Sequence, residues 1–138
     1  MVSYMNQQGL MRELYVIVHE NKVYEVAEGT NPVKKEEARR VLGEIQEIKQ
    51  TKNHLNYDGD ILFLSRPLPG MPKPSSDLMV YIAGGVKWVC CSIHLAALRA
   101  HGYNAKFYDP ACFDDGLGRD TFIAKIPNAE KFIPEYFE

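Results

Sequence analysis

Two short runs of β-branched and aromatic residues stand near the beginning of the chain, at residues 14–18 and 23–26. Such runs are typical of β-strands, and the polar residues between them, 19–22, suit a turn. The pattern therefore predicts that the chain opens with an antiparallel β-hairpin.

A helix is predicted to follow the hairpin. Thr30 or Asn31 can cap its amino end, Pro32 suits its first turn, and it runs to about Gln50. Apolar residues recur at intervals of three and four, which places them on one face: Ala38, Val41, Leu42, Ile45 and Ile48. We expect that face to be buried and the charged face to be solvated.

The rest of the chain carries further strand patterns. The uniformly apolar run 61–64 predicts a central strand, and the prolines between residues 67 and 74 predict a loop after it. Strands are also predicted at 78–83, at 103–108, where Asp109 and Pro110 end the strand, and at 121–126. This order of elements predicts one α/β domain with a mixed sheet, the N-terminal hairpin and two main helices.

The second main helix is predicted from about Lys87 to His101, with Gly102 as its C-cap. Its apolar residues lie on two nearly opposite sides, at Val89, Ile93, Ala96 and Ala100 and at Trp88, Cys91, Leu95 and Leu98. Such a helix needs two covering layers, one of which is the sheet. The other is the first helix or the same helix of a second subunit, so a homodimer or homotetramer is expected.

Composition and charge narrow the class of protein. With 138 residues, of which 46% are hydrophobic and 25% charged, the chain fits one folded domain. The formal net charge of −2 gives no basic field for long duplex nucleic acid, although it is compatible with a small anion bound locally. Residues 1–12 lack an apolar signal-peptide core and no run approaches a membrane span, so a cytoplasmic, non-membrane protein is expected.

The turn Gly84-Gly85-Val86-Lys87 is the candidate site. It connects a predicted strand to a predicted helix, where backbone N–H groups and the positive helix end can face an anion. Lys87 would add a point charge. The turn lacks the glycine spacing and the Lys-Ser/Thr pair of a P-loop, which excludes an ordinary nucleoside triphosphatase. A tight turn with a surface lysine is the alternative interpretation.

Ser65 and Arg66 follow the apolar run 61–64 at its carboxyl end. Open α/β sheets bind ligands at that edge. If this strand is parallel to strand 78–83, Arg66 converges with Lys87 on one ligand. The alternative is a loop arginine that pairs with a surface acid.

From Asp77 to about Pro127 the chain resembles the standalone ring nucleases, small CRISPR-associated proteins of type III systems that bind and degrade cyclic tetra-adenylate. The matching features are the strand before Gly85, Trp88, the cysteines and histidines of the apolar helix, and Tyr108-Asp109-Pro110. Three positions depart from that family: Ala83 replaces a glycine, Val86 a proline and Ala111 an arginine. The Gly-Gly-Val-Lys turn is also similar to the Gly-Gly-Thr-Lys turn of the larger cyclic-oligoadenylate sensor domains, known as CARF domains.

The resemblance implies a Rossmann-like, CARF-like fold and a cyclic oligoadenylate, most simply cyclic tetra-adenylate, as ligand. Together with the sheet-edge position of Ser65 and Arg66, the resemblance predicts six ligand-binding residues: Gly84, Gly85, Lys87, Trp88, Ser65 and Arg66. It suggests His101 and Asp109 as the catalytic pair of a phosphodiesterase, with Asp109 holding a divalent metal such as Mn²⁺. Because residues 103–108 separate the two by about 20 Å, the pair requires a second subunit or a fold-back. Asp109 acting only as a turn cap is the alternative.

Other classes of function remain open. Residues 81–87 also resemble the strand and loop that carry a rhodanese's cysteine, although position 82 is Ile and the cysteines lie inside the helix. Cys90, His94 and His101 fall within about 40° on a helical wheel, so a zinc site is an alternative to core packing. The three cysteines of the chain, Cys90, Cys91 and Cys112, are expected to be reduced thiols. A non-catalytic nucleotide sensor or interaction domain is the third class.

Overall fold

The computed structural model describes residues 12–57, 70–114, 126 and 128–137. Its strands and helices, in chain order, are β1 (Arg12–Val18), α1 (Glu20–Ala27), α2 (Pro32–Thr51), β2 (His54–Tyr57), β3 (Leu78–Gly85), a π-helical turn (Lys87–Cys91) that continues into α3 (Ser92–Ala100), β4 (Asn104–Phe113), α4 (Ala129–Phe132) and a 3-10 turn (Pro134–Phe137). None of these described helices combines the length and the apolar content needed to cross a bilayer.

The four described strands form one sheet in the order β2-β1-β3-β4. All three strand pairings are parallel. On one face, the side chains of α1 and α2 pack on Tyr15 and Ile17. On the other face, α3 packs on Val16 and Val18. The predicted α/β class is confirmed as a Rossmann-like three-layer arrangement, but the mixed sheet is wrong for the described strands, since none of them is antiparallel.

The predicted N-terminal hairpin is wrong. Residues 23–26 belong to helix α1, which buries Glu20, Val23 and Ala27 on one side. That spacing of three and four is helical, but in so short a segment the apolar run matches a strand equally well. His19 has a left-handed backbone, with φ of 48° and ψ of 51°, and turns the chain from β1 into α1.

Helix α2 is confirmed with its predicted cap. The Asn31 side chain accepts hydrogen bonds from the backbone N–H groups of Val33 and Lys34, each at 3.1 Å, and Pro32 occupies the first turn. The buried residues of α2 are Ala38, Val41, Ile45 and Ile48. The local signals were sufficient here because the cap, the proline and the apolar spacing all agree.

Helix α3 is buried from Ser92 to Leu98, and both of its covers come from the same chain. One cover is the sheet, and the other is the C-terminal segment, residues 128–137, which inserts the fully buried Ile133. Helix α2 cannot be the second cover, because it lies on the opposite face of the sheet. Oligomerisation is therefore not needed to cover α3 and stays a prediction.

Strand β4 continues beyond the predicted stop at Asp109 and Pro110, so that boundary is wrong. Ile82 pairs with Phe107, but Gly84 pairs with Cys112, which leaves residues 108–111 of β4 opposite the single residue Ala83. A bulge of this kind accommodates a proline inside a strand, because the bulged residues do not take part in the ladder. The predicted strand 61–64 lies outside the described residues. Of the predicted strand 121–126 only Ile126 is described, and it is a buried bend.

Strands β1 and β3 approach closely at Val18 and Gly84. Gly84 has a φ of +110°, and a Cβ atom on it would lie 2.0 Å from the carbonyl oxygen of Val18. A Cβ atom on Gly85 would lie 2.9 Å from the Cγ2 of Val23, the buried residue of α1. Both glycines are therefore required by packing within the chain.

We predict that Gly84→Ala destabilises the protein by at least about 3 kcal/mol, because it combines backbone strain with a clash against Val18. The matched control is Gly43→Ala, which introduces a methyl group into α2 with no atom within 4 Å. It should stabilise the protein by about 0.5 to 1 kcal/mol. Urea unfolding measures both changes, and equal stabilities of Gly84→Ala and the parent would contradict the contact.

Candidate functional site

The strand order places a topological switch between β1 and β3. The chain leaves β1 toward β2 on one side, and leaves β3 toward β4 on the other. In open parallel sheets, ligands bind outside the carboxyl ends of the strands at such a switch. Gly84 and Gly85 are the last residues of β3, so the stretch from Gly84 to Lys87 lies at this carboxyl edge.

The part of the switch nearest the glycines is occupied by the chain itself. Gly84 is in contact with the backbone of Val18, and Gly85 with the side chain of Val23, and both glycines are buried. Helix α1 thus lies across the end of β3. The structure explains both glycines by packing, so ligand contact at Gly84 and Gly85 stays a prediction. The solvent-accessible part of the turn begins at Val86 and Lys87.

Lys87 is held between two aromatic rings and a carboxylate. Its Nζ lies 4.9 Å from the ring centroid of Trp88 and 5.0 Å from that of Phe107. The same atom lies 2.8 Å from Oδ1 of Asp109. The Lys87 side chain is only 20% exposed, whereas that of Asp109 is 70% exposed. The ammonium group is therefore fixed by cation–π contacts, and its carboxylate partner faces solvent.

The aromatic wall around Lys87 extends to the C-terminal segment. Trp88 makes edge contacts with Phe107, at 5.4 Å between ring centroids, and with Tyr136, at 5.8 Å. We call the set Lys87, Trp88, Phe107, Asp109 and Tyr136 the Lys87 notch. Phe107 and Tyr136 were not predicted as site residues. Phe107 stands beside the Tyr-Asp-Pro motif, which could have indicated it, but no local signal points to Tyr136.

A second ion pair borders the Lys87 notch and holds the C-terminal segment in place. The Arg99 guanidinium donates to both carboxylate oxygens of Glu135, at 2.7 and 2.6 Å, and to the carbonyl oxygens of Phe132 and Ala105. The Arg99 hydrogen bonds lower the pKa of Glu135, and the nearby charge of Lys87 lowers it further. Glu135 is thus a fixed anion whose charge is already balanced by Arg99.

The structure separates the two predicted catalytic residues. Asp109 lies in the β4 bulge, at the carboxyl side of the sheet, where it contacts Lys87. His101 follows the last residue of α3 at the amino end of β4, so the first half of β4 lies between them. Their pairing across two subunits stays a prediction. Ser65 and Arg66 lie outside the described residues.

The surroundings of Asp109 do not fit a divalent metal. Its described ion-pair partner is an ammonium group, which a metal dication would repel. Among the residues that the structure describes, no three His, Cys, Asp or Glu side chains are grouped so that they could hold an ion. Manganese at Asp109 would need further ligands from elsewhere, and it stays a prediction.

The cysteines are free thiols, of which Cys91 and Cys112 are buried and Cys90 is partly buried. Burial raises the pKa of Cys90 and raises that of the fully buried Cys91 well above its ordinary range. Cys91 Sγ donates to the carbonyl oxygen of Ala83 at 3.8 Å, and Cys112 Sγ donates to that of Ile82 at 3.2 Å. A nucleophilic thiolate needs a lowered pKa. The sulfurtransferase alternative therefore has no activated cysteine at Cys90 or Cys91.

His94 of α3 is a buried histidine on the side of the topological switch where β1 and β2 end. Its ring makes an edge contact with Tyr57, at 5.0 Å between centroids, and Tyr57 in turn stacks with His19. The residue is 3% exposed, and its Nε2 atom has no hydrogen-bond partner among the described residues. Burial, with a smaller effect of His19, lowers the pKa of His94 from 6.5 to about 4.

We predict that His94 makes the fold sensitive to acid. Because the folded chain keeps the imidazole neutral, the unfolded chain takes up a proton first, and stability falls between pH 6.5 and about 4. The loss is about 1.4 kcal/mol per pH unit, or about 3 kcal/mol in all. Urea unfolding of the parent and of His94→Gln over this range should show a smaller pH slope in the variant. Equal slopes would contradict the assignment.

Comparison of the chain with known proteins finds no relative: no protein-family model, no curated protein and no solved structure matches it.

Proposed function

We propose that this protein binds a cyclic oligoadenylate, with cyclic tetra-adenylate as the first candidate, and that the Lys87 notch is the centre of the binding site. The observation that carries the proposal is the position of the Lys87 ammonium group. It is fixed on two aromatic rings at the carboxyl edge of β3, beside the topological switch. Phosphate-containing ligands bind at this edge in parallel α/β sheets.

The chemistry of the notch suits a nucleotide that carries both phosphates and bases. Lys87 offers a partly dehydrated positive charge, which attracts a phosphodiester more strongly than a fully solvated lysine does. Trp88 and Tyr136 are half-buried and leave part of their aromatic surface accessible. Adenine bases stack on such surfaces in many single-strand binding proteins. The similarity of the Gly-Gly-Val-Lys turn to that of CARF domains points to the same class of ligand.

A cyclic ligand with repeated phosphates favours a symmetric receptor. Two copies of the chain related by a two-fold axis would present two identical Lys87 notches to opposite phosphates of one ring. The homodimer or homotetramer is thus part of the proposal. Degradation of the ligand is its second part and rests on the resemblance to the ring nucleases, with His101 from one subunit and Asp109 from the other.

The second candidate function is that of a non-catalytic sensor, which binds the same cyclic oligoadenylate without degrading it. The contact of Asp109 with Lys87 favours it, because Asp109 then neutralises a binding residue instead of serving a reaction. Binding is common to both candidates, and turnover separates them.

We expect cyclic tetra-adenylate to stabilise the protein by about 2.7 kcal/mol at a concentration about 100 times its dissociation constant. Lys87→Met should weaken binding at least about tenfold, because it removes one charged hydrogen bond and keeps most of the length of the side chain. Lys106→Met is the matched control, since Lys106 also lies over an aromatic ring, that of Tyr81, at 5.3 Å. It should leave the affinity unchanged.

Calorimetry with cyclic di-, tri-, tetra- and hexa-adenylate measures these affinities. Failure of every ring to bind would overturn the proposed ligand. Equal losses in Lys87→Met and Lys106→Met would show that only the overall charge matters and would remove the notch as the site.

Ring opening is predicted to need two subunits. His101→Ala and Asp109→Asn should each abolish cleavage of cyclic tetra-adenylate, assayed with Mn²⁺ and with a chelator. Because a mixed dimer would contain one intact site, an equal mixture of the two variants should recover about a quarter of the parental rate. Full activity in both variants would sink the catalytic pair, while binding without cleavage by the parent would identify a sensor.

A further inference from the structure

We infer that Asp109 is an internal counter-anion of the Lys87 notch, which a phosphate of the ligand must displace before it can bind Lys87. The inference deepens the proposed function and rests on it for the identity of the ligand. It is carried by the geometry of the ion pair between Lys87 Nζ and Asp109 Oδ1, which are 2.8 Å apart.

The two partners of this ion pair are not equally constrained. Lys87 keeps its place through the rings of Trp88 and Phe107, and only a fifth of its side chain is exposed. The Asp109 side chain is 70% exposed. A phosphate from solvent would therefore find the ammonium group already positioned and paired with a solvent-exposed carboxylate. Exchange of one anion for the other leaves the aromatic contacts of Lys87 unchanged.

The position of Asp109 in the bulge allows this exchange without damage to the sheet. Residues 108–111 stand outside the regular pairing of β3 with β4, so movement of the Asp109 side chain leaves that pairing unchanged. The next residue is held independently, because Arg40 of α2 donates to the carbonyl oxygen of Pro110 at 3.0 Å. The exchange can thus be a rotation of the Asp109 side chain on an anchored backbone.

The other carboxylate near Lys87 does not take the same part. Glu135 is bound through both oxygens to Arg99, which is itself held by the carbonyl oxygens of Phe132 and Ala105. Releasing Glu135 would break two hydrogen bonds that help to hold the C-terminal segment, whereas releasing Asp109 breaks one ion pair whose carboxylate faces solvent. Asp109 is therefore the carboxylate that competes with an incoming phosphate.

The test compares Asp109→Asn with Asp77→Asn. Both substitutions remove one negative charge. Asp77 also forms an ion pair, with Arg12 at 3.1 Å, but this pair lies at the amino edge of the sheet, away from the notch. Two probes are titrated at low salt by calorimetry: cyclic tetra-adenylate and pyrophosphate. Because exposed ion pairs are weak, Asp109→Asn should bind both probes about two- to fivefold more tightly than the parent. Asp77→Asn should not differ from the parent, and Asp109→Glu, which keeps the charge, should stay close to it.

The outcomes separate this inference from the proposed function. Tighter pyrophosphate binding by Asp109→Asn alone, with no binding of cyclic tetra-adenylate to any variant, would uphold the counter-anion and reject the ligand. Cyclic tetra-adenylate that binds the parent and Asp109→Asn equally would overturn the counter-anion and keep the ligand. Equal gains in Asp109→Asn and Asp77→Asn would also overturn it, because the effect would then be one of net charge.

Discussion

The close approach of β1 to β3 at Gly84 is the constraint on which the position of the site depends. A side chain at this residue would overlap the carbonyl oxygen of Val18, so the two strands can pair to their ends only with glycine there. The chain then leaves β1 through His19 and places Val23 of α1 against Gly85. As a result, the inner part of the switch is filled by protein, and the turn becomes accessible to a ligand only from Val86 onward.

This constraint directs the proposed binding to the side of β4. The bulge of β4 moves Asp109 out of the ladder, and the π-helical turn after Val86 places Lys87 and Trp88 opposite it. The C-terminal segment closes the other side with Tyr136 and is fastened by Arg99. The notch is thus assembled from three parts of the chain, and its ammonium group is held by two aromatic rings and one carboxylate.

The sequence predicted those features whose cause is local. Helix α2 has its cap, its proline and its apolar spacing within one stretch of chain, and Gly102, with a φ of +93°, marks the end of α3 as expected. Helix α1 was mistaken for a strand because its buried residues are too few to distinguish the two periods. The continuation of β4 through Pro110 depends on its partner strand, which no local signal reveals.

The sequence places the candidate turn at the end of a strand, and the structure adds contacts around it that the sequence does not indicate. Strand, glycines and Lys87 are contiguous, so the edge of the sheet could be inferred from them. That Gly84 and Gly85 make room for Val18 and Val23, and that Lys87 meets Phe107, Asp109 and Tyr136, depends on contacts between distant parts of the chain. Such contacts follow from the tertiary packing, which one sequence read by spacing and propensity does not specify.

Trp88 is the single tryptophan of the protein and stands inside the Lys87 notch, so its fluorescence reports on the proposed site directly. A titration with cyclic tetra-adenylate should change the Trp88 emission saturably, with a midpoint at the dissociation constant found by calorimetry. Calorimetric binding with unchanged emission would place the ligand elsewhere on the protein, and the absence of both signals would contradict the proposed ligand itself.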